Sequence, residues 1–358
     1  MDRANRAPWG LVFPSWALPA SAALSTAAPW LKGGRGPDRP RRAMEVLLSL
    51  GLFLLVAAAA AIFLLKPYFD WRASCDKSLE SQVSRTSFQC VPGELIPPAW
   101  KAPEVTLSVI VPAYNEEYRV PQMLDETLTY LEGRGASSSF SYEIIVVDDG
   151  SSDNTYAAAL SASTAASLRH GEVKIIQLLA NRGKGFAVRA GMLAARGQLL
   201  LMADADGATS IRDLERLERS LGAKDDAPHM AFGSRHHLRQ EALNKRAWYR
   251  NVLMVGFQFA VWLLVGGVIN DTQCGFKLFK ANAAKRIFAS LHIYRWAFDI
   301  EVLILSQIFG QGVAEVPVTW VEMPGSKLNL LTGALTMLRD MMLVRVLYGF
   351  GFWQPSVA

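Results

Sequence analysis

Cysteine is scarce. Only Cys75, Cys90 and Cys274 occur in 358 residues, too few and too scattered for a disulfide framework, which fits a reducing compartment. Zinc-finger spacing and any array of arginines interleaved with aromatics are missing as well, so nucleic acid is not an expected partner. No GxxxxGK[ST] is present: Gly183, Lys184 and Gly185 lack both the preceding loop and the following hydroxyl, which excludes a phosphate-loop NTPase. The first strand of the globular region ends in PAYNEE and not in GxGxxG, which argues against a dehydrogenase. The motif set of a protein kinase is absent too.

What the chain has in excess is apolar residues, 51% of the total, and they collect in three runs. The first, Val46 to Leu65, matches the length of helix that crosses a hydrocarbon layer of roughly 30 Å, and 44–66 is expected to be a membrane anchor. Before it, residues 1–43 are rich in Ala, Pro, Gly and Arg without any period, as in a disordered leader. After it, 67–103 reads as a polar, proline-bearing stem lying along the membrane. Arginines 39, 41 and 42 precede the run while Lys66, Arg72 and Lys77 follow it, so the charge rule on the full chain slightly favours a lumenal catalytic domain. Translation from Met44 would remove those arginines and leave the domain in the cytosol. The net charge of +5 suits a protein that handles phosphates at a membrane surface.

From residue 104 to 328 buried strands alternate with helices. LSVIVPAYNEE (107–117), YEIIVVDDGSSDNT (142–155), VKIIQLL (173–179) and LLLMADADGAT (199–209) each run from apolar residues towards a turn, and helical patterns separate them. The spacing predicts an α/β fold with a mostly parallel sheet covered on both faces. Three strands end in acid: Glu116 and Glu117, Asp148 and Asp149, Asp204 and Asp206. Open sheets of this kind bind ligands at the carboxyl ends of their strands. Carboxylates there can accept hydrogen bonds from a uracil imide or a ribose, and a turn at Gly207 lets Asp204 and Asp206 approach one hard cation, Mg²⁺ or Mn²⁺. A plainer reading is that the pair caps the next helix, where Thr209 or Ser210 with Asp213 imitates a capping box.

VIVPAYNEE, VVDDGSSD, NRGKG, DADGAT, GSR, DTQCGFKLF and RWAFDIE, in this order, resemble the inverting family 2 glycosyltransferases of the GT-A fold. With the amino-terminal anchor, the set is similar to those members that glucosylate dolichyl phosphate at the endoplasmic reticulum membrane for protein N-glycosylation. The resemblance covers residues 44 to about 350 and implies a Rossmann-like GT-A domain with one transmembrane helix and membrane-interface helices. It implies UDP-glucose as donor, dolichyl phosphate as acceptor and dolichyl β-D-glucosyl phosphate as product. Pro112, Tyr114, Glu116, Asp148 and Asp149 would line the nucleotide pocket, Asp204 and Asp206 would hold the metal, and Lys184 would reach the donor. A mannosyl analogue using GDP-mannose and an inactive nucleotide-sugar scaffold remain open. The lack of QxxRW and of an array of spans counts against a processive polysaccharide synthase.

The second apolar run, Val252 to Ile269, follows a basic patch (Arg235, His236, His237, Arg239, Lys245, Arg246, Arg250). A full crossing would put DADGAT and DTQCGFKLF on opposite sides of a bilayer, so 250–270 is expected to lie in the interface. A glycan at Asn270, which with Thr272 forms an acceptor motif, would obstruct the same site, a further reason to expect a cytosolic domain. An acceptor phosphate, with a second pKa of about 6, is already largely ionised and needs charge and positioning more than a base. Arg235, Lys277 and Lys327 are the expected phosphate ligands; Asp299 is either a base or the residue that orients a cation. The third run, within 329–358, is interrupted by Arg339, Asp340 and Arg345 and is expected to form an amphipathic membrane-surface helix.

Overall fold

A computed structural model describes residues 39–75, 83–86, 102–137, 139–222, 227–238, 256, 266, 269–323 and 330–355. The chain divides into a unit that ends at Ala61 and a second, from Ile62, that holds the sheet. The described part of the first unit is helical and belongs to α1 (Arg39–Cys75). Within α1, Leu48–Lys66 is the one segment among the described residues long and apolar enough to cross a membrane. Leu48, Leu52, Phe53 and Leu55 are exposed, so no protein core accounts for their apolarity. The helix runs past 44–66 at both ends, taking in 39–43 and 67–75. Pro40 sits in its first turn, where its missing N–H costs nothing, and propagation from a formed helix is cheap. The rest of the leader, most of the stem, the basic residues from Arg239 to Arg250 and nearly all of 252–268 lie outside the described residues.

The second unit is built on one eight-stranded sheet. In chain order come β1 (Val83–Thr86), β2 (Val105–Ala113), α2 (Val120–Ser137), β3 (Tyr142–Asp148), α3 (Thr155–Ala165), β4 (Gly171–Leu178), α4 (Lys184–Ala194) and β5 (Gly197–Ala203). Next are α5 (Leu214–Leu221), β6 (Met230–Ser234), β7 (Phe276–Lys280), α6 (Ala281–Ala289), α7 (Phe298–Ile308), β8 (Val313–Pro317) and α8 (Leu330–Gly349). Their order across the sheet is β1-β4-β3-β2-β5-β7-β6-β8. Strands β4, β3, β2 and β5 are mutually parallel, as the alternating pattern requires. Beyond β5 the sheet is mixed, because β7 runs antiparallel to both β5 and β6. Strands β6, β7 and β8 have five residues each and no long apolar run, so they leave a weak imprint on the sequence.

Side chains alternate between two cores. Leu107, Val109 and Val111 of β2, Ile144 and Val146 of β3, and Leu201 of β5 face one layer, where they meet α2 and α5. Ile110, Ile145, Val147, Leu200 and Met202 face the other, packed on α4, α6, α7 and α8. This period-two division is what makes the central strands read as continuous hydrophobic runs.

The amino ends of the strands are tied by a buried carboxylate. Glu143, wholly buried, accepts hydrogen bonds from Ser108 Oγ at 2.6 Å, the Arg196 backbone N–H at 2.6 Å and Lys174 Nζ at 2.9 Å. Burial alone would raise its pKa, but Lys174, Ser108 and Arg196 outweigh it and hold the group below the usual range. Its contribution to stability is therefore present above the ordinary glutamate pKa and lost as pH falls through the lowered one. Replacing Glu143 by Ala should lower stability by roughly 2–3 kcal/mol, read as a drop in melting temperature. The acidic strand tips should be left undisturbed, because these contacts lie at the opposite edge of the sheet.

Candidate active site

β2 and β5 part before they end. Their ladder stops at Ile110 opposite Met202, whereas β2 stays paired with β3 to Ala113 opposite Asp148. Strand order also reverses here, with β3 and β4 on one side of β2 and β5 on the other, and such a switch point opens a crevice at the carboxyl ends. Pro112 falls in the stretch of β2 that no longer pairs with β5.

At the tip of β5, Gly207 adopts φ +67°, the turn the sequence requires, and Asp206 Oδ1 accepts the Ala208 N–H at 3.0 Å. The loop is held by the Val321 N–H on the Ala208 carbonyl and by a bridge between Thr209 and Trp320. The anticipated capping box does not form. Ser210 and Asp213 make no side-chain cap bond, and Asp213 instead accepts the Thr319 N–H. The carboxylate of Asp204 lies so close over Gly275 that a Cβ there would overlap it. Asp204 Oδ1 is buried and accepts no well-directed hydrogen bond among the described residues, although the Lys184 ammonium lies 2.6 Å away. The Asp204 side chain is nonetheless 33% exposed, and that surface lies away from Oδ1. Burial raises the pKa of Asp206, with the neighbouring charge of Asp204 adding to it.

Lys184 opens α4, and the glycines beside it serve close packing. A Cβ on Gly183 would meet the Tyr294 carbonyl at 2.6 Å, and one on Gly185 would meet Phe298 Cβ at 2.7 Å. The start of α4 therefore seats directly on residues 293–298, with Phe186 N–H donating to the Tyr294 carbonyl. The Lys184 ammonium lies 5.6 Å from the ring centre of Trp296. Burial opposes its charge, but Asp204, Asp299 and Asp206 outweigh burial and raise its pKa.

The same loop joins β3. Asp149 accepts the N–H groups of Arg182 and Gly183, each at 2.8 Å, and burial pushes its pKa up to about 6. A continuous path thus crosses the switch point from Asp149 through Gly183 and Lys184 to Asp204. Asp148 is placed differently from the sequence expectation. Wholly buried, it accepts Ser151 N–H at 2.9 Å and Gln177 Nε2 at 2.6 Å, so it shapes the turn and does not face the crevice. Glu116 is gripped by Arg119 through two bonds of 2.5 and 2.6 Å, while Tyr114 stands exposed at the end of β2.

Among the expected phosphate ligands, Lys277 is 1% exposed and bonds Asp299 Oδ1 at 2.7 Å and the Cys274 carbonyl at 2.6 Å. Its charge is committed to Asp299, which corrects the expectation that it draws in an anion. Asp299, its pKa raised by burial, is the carboxylate that Lys277 meets. Arg235 holds Asp271 through a fork of 2.8 and 3.0 Å and lies 5.4 Å from the ring centre of Trp320, with a third of its side chain exposed. Lys327 lies outside the described residues. Arg119 and Trp320 carry no sequence signal of a place at this site, while Trp296 and Gly275 carry only that of the runs RWAFDIE and DTQCGFKLF around them.

Among the described residues no three His, Cys, Asp or Glu side chains converge on one point. A cation held by Asp204 and Asp206 would need oxygens from its ligand or from water to complete its shell, the manner in which magnesium-like ions bind with phosphates.

Residues 108–288 match the family model described as glycosyl transferase family 2. The chain is 43% identical over 317 residues to the dolichyl-phosphate β-glucosyltransferase of Homo sapiens, covering 86% of this chain and 97% of the human protein. The enzyme of that name from Drosophila melanogaster is 44% identical, with 86% and 94% covered, and that of Saccharomyces cerevisiae 40%, with 71% and 78% covered. Among solved structures, glucosyl-3-phosphoglycerate synthase from Mycobacterium tuberculosis in complex with UDP superposes with a TM-score of 0.50 at 18% identity over 69% of this chain and 81% of that one, a likeness of fold.

Because the Asp204 carboxylate occupies the space a side chain at residue 275 would need, Gly275→Ala should displace it. Glycosyl transfer should fall by roughly a hundredfold while the melting temperature stays within a few degrees, as activity assays and thermal denaturation on the same preparation would measure.

Proposed function

The chain belongs to glycosyl transferase family 2, and from that premise we propose that it transfers glucose from UDP-glucose to dolichyl phosphate with inversion, giving dolichyl β-D-glucosyl phosphate. The observation that carries this reading is the pair Asp204 and Asp206 at the switch point, joined through Lys184 to Asp149, in a chain similar over nearly its whole length to enzymes of that name. In this reading the uridine lies in the crevice between β2 and β5. Tyr114 offers a ring for the base and Asp149 an acceptor for its imide. The donor diphosphate comes to the tip of β5, facing the amino end of α4, where backbone dipoles favour anions. Asp204 and Asp206 are the residues that would hold Mg²⁺ or Mn²⁺, which when bound supplies positive charge to the diphosphate.

The reaction itself asks little of a base. An oxygen of the acceptor phosphate forms a bond to the anomeric carbon as the bond to UDP breaks, and the bonding pair leaves on the β-phosphate oxygen. Attack opposite the leaving group inverts the centre. Arg235, held by Asp271 and stacked on Trp320, has the exposure and charge to receive the acceptor phosphate. The Lys277–Asp299 pair stabilises the floor beneath it.

The apolar segment Leu48–Lys66 supports anchoring in a membrane by a single pass; in this reading the membrane is that of the endoplasmic reticulum and the catalytic domain faces the cytosol. The C-terminal α8 supports contact with lipid for a reason other than the one its sequence suggested. Two of its three charges are not at its surface: Arg339 and Asp340 pair with each other at 2.6 Å in buried surroundings, while Arg345 is half-buried and Leu335, Met342 and Val346 are exposed.

Two measurements test this. Membranes carrying the protein, given labelled UDP-glucose, dolichyl phosphate and a divalent ion, should yield a glucosylated lipid that GDP-mannose does not replace, and Asp206→Asn should reduce the yield by roughly 10²–10³-fold; preference for GDP-mannose would overturn the donor assignment. In sealed microsomes, protease added from outside should digest the catalytic domain without detergent, and protection would place it in the lumen.

A further inference from the structure

Lys184 stands in an unfavourable position for a cation. It is the first residue of an eleven-residue helix, and the dipole there disfavours positive charge. It is retained by charge: Asp204 Oδ1 lies at 2.6 Å, and Asp299 and Asp206 add attraction. Asp204 Oδ1, for its part, is buried with no directed hydrogen bond among the described residues, so the ammonium is what neutralises it. A carboxylate that is to receive a divalent ion is thus already occupied by a monovalent one belonging to the chain.

We propose that Lys184 is a resident counter-cation for Asp204, so that a divalent ion enters together with a nucleoside diphosphate and not ahead of it. This rests on Asp204 and Asp206 being the cation ligands. A divalent ion approaching alone must push the ammonium off Asp204 and leave it buried beside another positive charge, on a helix end that already repels it. With a diphosphate the balance changes, because phosphate oxygens give the ammonium new partners at the same helix terminus and complete the shell of the metal. Trp296, half-exposed beside the ammonium, provides a face along which the lysine can move from one anion to the other. The seating of Gly183 and Gly185 against residues 293–298 fixes the backbone, so only the side chain needs to move.

The test is a Mn²⁺ titration of the full-length enzyme in detergent, in which the free ion is counted by its electron paramagnetic resonance signal, with and without UDP. In the wild type UDP should tighten Mn²⁺ binding by about tenfold or more, within the usual range of coupling between two ligands. Lys184→Met should bind Mn²⁺ without UDP about tenfold more tightly than the wild type, and Lys184→Arg, which keeps the charge, should not. Equal Mn²⁺ affinity of the wild type with and without UDP would overturn the proposal without recourse to any variant. So would a Lys184→Met protein that binds Mn²⁺ no better than the wild type in the absence of UDP. If the wild type took up no Mn²⁺ even with UDP, the cation-site reading itself would fall, a result distinct from either of these.

Discussion

A carboxylate at the end of a buried strand has to be neutralised, and the neutralisation of Asp204 organises the carboxyl edge of this sheet. The Lys184 ammonium can stand 2.6 Å from it because α4 begins where it does, and α4 begins there because Gly183 and Gly185 let its backbone lie against residues 293–298. The same loop lends two backbone N–H groups to Asp149. One ion pair therefore fixes the relation between the tips of β3 and β5, the two strands that flank β2. Gly275 completes the arrangement by having no side chain where the carboxylate rests.

The sheet divides its charged groups by edge. At the amino ends Glu143 gathers Ser108, Lys174 and Arg196 into a buried network whose oxygens are all satisfied, which is what a structural carboxylate requires. At the carboxyl ends Asp204 keeps a buried oxygen without a directed donor among the described residues. Its charge is met by one side-chain ammonium and not by fixed backbone donors, an arrangement that a ligand can rearrange. Asp148 and Asp149, adjacent in sequence at the carboxyl end of β3, are both satisfied but by different partners. The first is satisfied inside the turn, and the second is held by the loop that carries Lys184.

Legibility in the sequence obeys the same physics. The central parallel strands can be read because both of their faces are buried, which writes an unbroken apolar run ending in acid. The short strands β6, β7 and β8 cannot, since each has only five residues, and Lys277, Lys280 and Glu315 interrupt the apolar pattern of β7 and β8. Asp204, Asp206 and Lys184 are legible because residue type and turn chemistry announce them. The roles of Lys277 and Asp148 are not, because each depends on a partner far away in the chain, Asp299 and Gln177, that only the fold brings near. The apparent capping box fails for a related reason: Asp213 finds the Thr319 N–H across the fold and has no need of its own helix end.

The carboxyl-terminal helix is part of this machinery and not an appendage to it. Glu301, wholly buried in α7, accepts the backbone N–H groups of His292 and Ile293, shares His292 Nδ1 at 2.9 Å, and receives the Tyr348 hydroxyl from α8 at 2.9 Å. Trp353 stacks on His292 with ring centres 4.2 Å apart. Residues 292–298 are thus clamped from behind by α8 and by Trp353 beyond its end, and their front surface seats Gly183, Gly185 and Lys184. A carboxylate with this many donors resists displacement, since removing any one leaves a buried charge short of a partner. The exposed apolar residues of α8, Leu335, Met342 and Val346, consequently belong to the same packed body as the turn that positions the lysine. Whatever surface that helix rests on, its placement passes to Lys184 through the turn at 292–298, which contacts hold on both sides.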